Sequence, residues 1–295
     1  MDGLPRSLVS DVAMCQQTLK APIGCVGVGL HSGCRVNLTF RPAPVDHGIV
    51  FRRPDLGVDI PARFDRVVET HLSTVLAEGD ARIGTVEHVM AALAGSGIDN
   101  VLVEVDGPEP PILDGDALSY LVLIEQAGLK ALGVPRQAIR VLKTVSVEQN
   151  GAGASLSPAQ GSEYDFEIDF PTPAIGRQTL SFTLTPQSFR TQIAPARTFG
   201  FLAELEGLHK MNLARGASLE NTLAIGDEGV VNRERLRFAD EVVRHKILDA
   251  IGDMALAGAP LMARFRGVKS GHGLNNALLR ALFSDPKSYE KVMLP

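Results

Sequence analysis

The segment His245-Lys-Ile-Leu-Asp249-Ala-Ile-Gly-Asp253 carries the densest chemistry in the chain. On an α-helix each step of four residues turns by about 40°, so His245, Asp249 and Asp253 share one face. Val243, Ile247, Ile251 and Met254 fall on the opposite side. Such a polar stripe is a solvated helix face in one reading, because i,i+4 polar pairs are common. In the other, His245 and Asp249 converge on one metal ion, as i,i+4 pairs do in helical zinc sites. Two ligands do not make a site, and the candidate third is His88. The set His88, His245 and Asp249 leaves a position for water, which is the pattern of catalytic rather than structural zinc. Glu87, beside His88, is then a candidate general base.

A second candidate is Lys269-Ser-Gly-His272-Gly-Leu-Asn275. Gly271 and Gly273 flank His272 and leave its ring unobstructed, although a plain Gly-rich turn has the same composition. Joined to Asp253, which could hydrogen-bond the imidazole and raise its pKa, His272 becomes a proton donor for a leaving group. His31, in Gly29-Leu-His-Ser-Gly33, reads as turn chemistry, and His47, His71 and His209 as surface residues. The glycines at 24, 27, 29 and 33 do not match a dinucleotide fingerprint.

These residues need elements to hold them. Cys25–Leu30, Arg35–Phe40 and Gly48–Phe51 alternate as strands between Gly and Pro clusters. Helical spacing predicts a helix from Thr85, as its N-cap, to Ala94, stopped by Gly95 and Gly97. The strand Val101–Val105 and a helix over about Asp116–Ala127 follow. The second part repeats the order: strands at Ile139–Val147, Tyr164–Phe170 and Thr179–Leu184, a helix over about Phe238–Ala257, the strand Leu261–Val268, and a helix over about Leu274–Phe283. Two similarly built α+β halves are expected, 1–133 and 134–295, each a sheet covered by a pair of helices. Inserts are placed at about 54–74 and 195–229, and the two histidine ligands lie in different halves, so the site should form between them.

Composition narrows the function. The 295 residues are enough for two domains, with 45% hydrophobic and 21% charged residues as in ordinary globular proteins. Lys plus Arg number 29 against 34 Asp plus Glu, Trp is absent and Tyr number 3, which argues against nucleic-acid binding. No apolar run approaches the roughly 18–20 residues of a membrane span, and Asp2 and Asp11 stand where a leader needs a basic start and an apolar core. A cytoplasmic protein is expected. Three cysteines without a C-x-x-C pair argue against a disulfide framework and a thiolate zinc site.

Thr85-Val-Glu-His-Val-Met-Ala-Ala-Leu93, Ala196-Arg-Thr-Phe-Gly-Phe201, His245–Asp253 and Lys269–Asn275 together resemble the motifs of the UDP-3-O-acyl-N-acetylglucosamine deacetylases, zinc amidases of lipid A biosynthesis. Gly29–Gly33 and Gly97-Ile-Asp-Asn100 extend the resemblance over essentially the whole chain. It implies two α+β domains with the active site between them, and one catalytic Zn2+ on His88, His245 and Asp249. It implies Glu87 as general base and His272 as general acid, oriented by Asp253. Lys246 and Thr198 would stabilise the oxyanion, and Leu72, Phe199, Lys246, Lys269 and Gly271 would contact the substrate, a UDP-linked acylated amino sugar. The second insert would frame a passage for the acyl chain. A monomer is expected, with no nucleic-acid partner. The family often has Cys where Ser73 stands. A non-catalytic binding module, or an amidase for another N-acetyl sugar, are the competing readings.

Overall fold

Ile23–Val28, Arg35–Pro42 and Val101–Val105 alternate between inward and outward side chains, and this period of two lets each bury one face. They pair in that order and continue into Ile49–Arg53 and Val58–Pro61, giving a five-stranded sheet. Ile49–Arg53 runs parallel to Val101–Val105, and the other pairs are antiparallel. The computed structural model describes residues 14–173, 175–232 and 236–294. Asp2 and Asp11, invoked above against a leader, lie outside them.

The second half is built around Leu261–Val268, whose Leu261, Ala263 and Phe265 point into the core. This strand pairs with Ala152–Pro158, with Gln137–Val141 and with Ser162–Asp169 inside a seven-stranded sheet. Five helices matter for the site: α1 (Glu87–Ser96), α2 (Leu118–Ala127), α3 (Leu202–Lys210), α4 (Glu241–Ala255) and α5 (His272–Ser284). Helix α1 packs on α2 in the first half, α4 packs on α5 in the second, and the halves meet where α1 lies against α4. The fold is therefore α+β, in two sheet-based halves, as expected.

Helix α1 is buried on nearly all sides, from Glu87 through Leu93, as a helix between two halves must be. Gly97 closes it in the left-handed conformation, at φ 72°. Thr85 is not its N-cap. It sits at φ 52°, an outlier for a β-branched residue, and its hydroxyl donates to Glu109 and accepts from no N–H of the helix. The expected strand Ile139–Val147 is two strands, Gln137–Val141 and Val145–Gln149. The second turns back at Asn150-Gly151, both at positive φ, into Ala152–Pro158, the hairpin that an Asn-Gly pair favours.

The segment expected as the first insert, about 54–74, is divided between two sheets. Val58–Pro61 belongs to the main sheet, whereas Val67–Glu69, Val75–Glu78 and Ala81–Ile83 form a separate three-stranded sheet. Strands this short leave almost no alternation to read. In the second insert Phe199–Phe201 and Leu223–Ile225 pair in parallel on either side of α3. No helix among the described residues is long and apolar enough to cross a membrane.

Candidate active site and metal centre

The polar stripe of α4 is not solvated. His245, Asp249 and Asp253 are each 5% exposed or less, and the first two face a cavity between the halves. The close approach of the helices has a specific cause: Gly252 has no side chain where α4 meets the backbone of Glu87.

Within this contact His88, His245 and Asp249 each present one ligand atom, all within 4.8 Å of one another. Nε2 of His245 lies 3.3 Å from Oδ1 of Asp249, and Nε2 of His88 lies 3.8 Å from the same oxygen. Nδ1 of His245 is 3.0 Å from the Ala196 carbonyl, which fixes the ring and leaves the Nε2 lone pair free. Burial pushes the His88 imidazole down to about 3, and neighbouring His245 adds to the fall. Burial also lowers His245, against the pull of Asp249. Asp249, despite its burial, is held well below the usual carboxylate range by Lys246 and the surrounding histidines. Two neutral imidazoles and an ionised carboxylate fit one borderline cation. The buried Nδ1 of His88 has no hydrogen-bond partner among the described residues, a cost that an apolar site would not carry.

Glu87 and His272 face each other beside this cluster, with Oε1 of Glu87 4.0 Å from Nε2 of His272. Burial pushes the Glu87 carboxyl up to about 7, although the His272 charge pulls it down. Burial opposes a charge on His272 too, but Asp253 and Glu87 outweigh it and raise the imidazole to about 9. Nδ1 of His272 is 2.9 Å from Oδ2 of Asp253, which also accepts from Asn275. Near pH 8 the pair is thus one carboxylate able to take a proton and one imidazolium able to give one.

The cavity holds about 620 Å³ and its walls are mainly apolar, with Phe201, Leu205, Leu208 and Leu219 from the second insert leading away from the polar end. Glu87, His88, Thr198, Phe199, Lys246, His245, Asp249, His272 and Leu72 all line it. Nζ of Lys246 donates to Oδ2 of Asp249 at 2.8 Å. The Phe199 ring meets His245 edge-on at 6.2 Å between centroids. Lys269 and Gly271 stand apart: the Lys269 ammonium pairs with Asp169 at the surface, and Gly271 is the extended residue before α5. Ser73 is buried but does not line the cavity.

Sequence reasoning missed three participants. His31, read as turn chemistry, lines the cavity, and neither of its buried ring nitrogens has a hydrogen-bond partner among the described residues. The Ala196 carbonyl orients His245, a role no side-chain pattern could reveal. Thr74 donates its amide to Glu87 and its hydroxyl to Asp253, a residue 179 positions away.

A buried His-His-Asp cluster beside a glutamate and a histidine, in a largely apolar cavity, has the equipment of a metal-assisted hydrolase. The chain belongs to the UDP-3-O-acyl N-acetylglycosamine deacetylase family, whose sequence model matches residues 16–284. It is 49% identical over 279 residues to the UDP-3-O-acyl-N-acetylglucosamine deacetylase of Myxococcus xanthus (strain DK1622), covering 94% of this chain and 89% of the relative. It is likewise 49% identical over 281 residues to the enzyme of that name from Pseudomonas entomophila (strain L48), covering 94% and 93%.

Proposed function

We propose that the chain hydrolyses the acetamide of UDP-3-O-(3-hydroxyacyl)-N-acetylglucosamine to the free amine and acetate, the committed step of lipid A biosynthesis. In this reading it works in the cytoplasm as a monomer, with one zinc ion held by His88, His245 and Asp249. The observation that carries the reading is the meeting of the His-His-Asp cluster and the Glu87–His272 pair at the polar end of an acyl-sized apolar cavity. A bound zinc ion supplies Lewis acidity, which acidifies water toward a pKa of about 7 and polarises a carbonyl.

The protein's own groups do the rest. Glu87 takes a proton from water as the water oxygen attacks the acetamide carbon. Thr198 and Lys246, both lining the cavity, face the carbonyl oxygen as it becomes negative, an interaction worth roughly 3–4 kcal/mol per well-placed donor. His272 gives its proton to the sugar nitrogen as the C–N bond breaks, and Asp253 keeps the ring aimed. Phe199 and Leu72 position the sugar, and the apolar walls from the second insert take the acyl chain. Lys269, on the surface, is left to the diphosphate side of the substrate.

The test is acetate release from UDP-3-O-acyl-N-acetylglucosamine and from UDP-N-acetylglucosamine, with zinc and with chelator. Rapid release from the acylated sugar alone supports the proposal. Equal rates on both would indicate an amidase for another N-acetyl sugar, and no release with no bound zinc would indicate a binding module.

A further inference from the structure

Asp253 is held from three sides, and one of them is unexpected. Its Oδ2 accepts from the His272 ring and from Nδ2 of Asn275, whose own Oδ1 accepts from the Ser270 hydroxyl. These partners all lie on or next to α5. Its Oδ1 instead accepts from the Thr74 hydroxyl at 2.6 Å, in the other half, on the loop that leads into the strand Val75–Glu78. The same residue's backbone N–H donates to Oε2 of Glu87 at 3.0 Å. Thr74 is therefore one short hinge between the carboxylate that faces His272 and the carboxylate that orients it. It is 2% exposed and does not line the substrate cavity.

We infer that Thr74 is a positioning residue that sets the spacing between proton acceptor and proton donor across the two halves. The inference rests on the deacetylase reading for its kinetic consequence and on geometry alone for its structural one. A carboxylate bound only through Oδ2 can rotate about its Cβ–Cγ bond, and His272 rotates with it. The Thr74 hydroxyl blocks that rotation, and its amide fixes Glu87 in the same frame. Partners that orient a functional group in this way change activity by about 10–100-fold when removed. Because Thr74 touches neither the cavity nor the three proposed zinc ligands, its effect should fall on kcat and spare KM and zinc content.

The experiment compares Thr74→Val, which removes only the hydroxyl, with Thr74→Ser, which keeps it. Thr74→Val should lose about 10–100-fold in kcat, with KM within twofold and zinc retained, and Thr74→Ser should recover most of the loss. Placed in a His272→Ala background, Thr74→Val should cost nothing more, because its effect passes through His272. Independently of activity, the Nδ1 proton of His272 should give an exchange-protected NMR signal in the parent and in Thr74→Ser, and lose it in Thr74→Val. Losses that multiply in the His272→Ala background, or an unchanged Nδ1 signal in Thr74→Val, overturn the inference. A parent that releases no acetate overturns the deacetylase reading, while the Nδ1 signal still decides the role of Thr74.

Discussion

Replacing Gly252 by Ala tests the contact on which the site depends. A Cβ at this position falls on the Glu87 carbonyl group, 2.8 Å from its carbon and 2.9 Å from the Glu87 Cα, where ordinary contacts begin at 3.4 Å. The obstacle is backbone, so no side-chain rotation relieves it, and α1 and α4 must separate by about 0.6 Å or more. Overpacking of this kind costs about 1–3 kcal/mol, and the better helix propensity of Ala returns about 0.8–1 kcal/mol, leaving a net loss of about 0–2 kcal/mol. The functional cost should be larger. The separation moves Glu87 and His88 away from His245 and Asp249, and a misplacement approaching 1 Å is worth about 10²-fold in rate. Denaturant unfolding, zinc content and kcat of Gly252→Ala together check this. Gly207→Ala, in α3 with no atom within 4 Å of the added carbon, serves as the control and should be neutral or slightly stabilising. Parental stability, zinc content and kcat in Gly252→Ala would falsify the close packing of the two helices and the argument built on it.

Three further outcomes are expected. His88→Ala, His245→Ala and Asp249→Ala should each purify with little zinc, because two remaining ligands hold it poorly; stoichiometric metal in all three would break the ligand assignment. Glu87→Gln should keep its zinc and lose about 10²–10⁴-fold in turnover, and loss of metal along with activity would mean that Glu87 is a ligand and not a base. Burial pushes the Cys25 thiol up from 9.0 to about 11, so its reactive thiolate is scarce at pH 8 and should grow about tenfold per pH unit through pH 10. Iodoacetamide labelling of Cys25 followed by mass spectrometry reads this directly, and a rate that levels off by pH 9 contradicts the burial.

The site was more legible in the sequence than the sheets that carry it. His245, Asp249 and Asp253 are separated by steps of four, and helical geometry turns that spacing into a shared face without any tertiary information. Leu261–Val268 was also readable to the residue, because one face is buried along its whole length. Thr85 misled because a cap is inferred from residue type, whereas here Glu109 captures the hydroxyl and the backbone turns to positive φ. The buried pair Glu109 and Thr85 belongs to tertiary structure, as does the contact of Thr74 with Asp253 across 179 positions. His31 escaped for a related reason: flanking glycines mark a turn, but they do not say that the turn forms part of a cavity wall.

Neither half of the molecule holds a working set of groups by itself. The first half brings Glu87, His88 and Thr74; the second brings His245, Lys246, Asp249, Asp253, His272 and Thr198. One half has a single histidine of the candidate metal cluster, the other has its histidine and aspartate, and Glu87 and His272 lie on opposite sides of the divide. The buried side chains of both halves form one continuous core through the contact of α1 with α4, and a shift of a few tenths of an ångström there uncovers little of its area. Chemistry is therefore more sensitive to that helix contact than stability is, since it depends on tenths of an ångström where the core depends on buried area. The absence of a side chain at Gly252 and the hydrogen bonds that Thr74 gives to Glu87 and Asp253 act on the same quantity from different sides: the first lets the halves approach, and the second stops the charged groups from turning once they have.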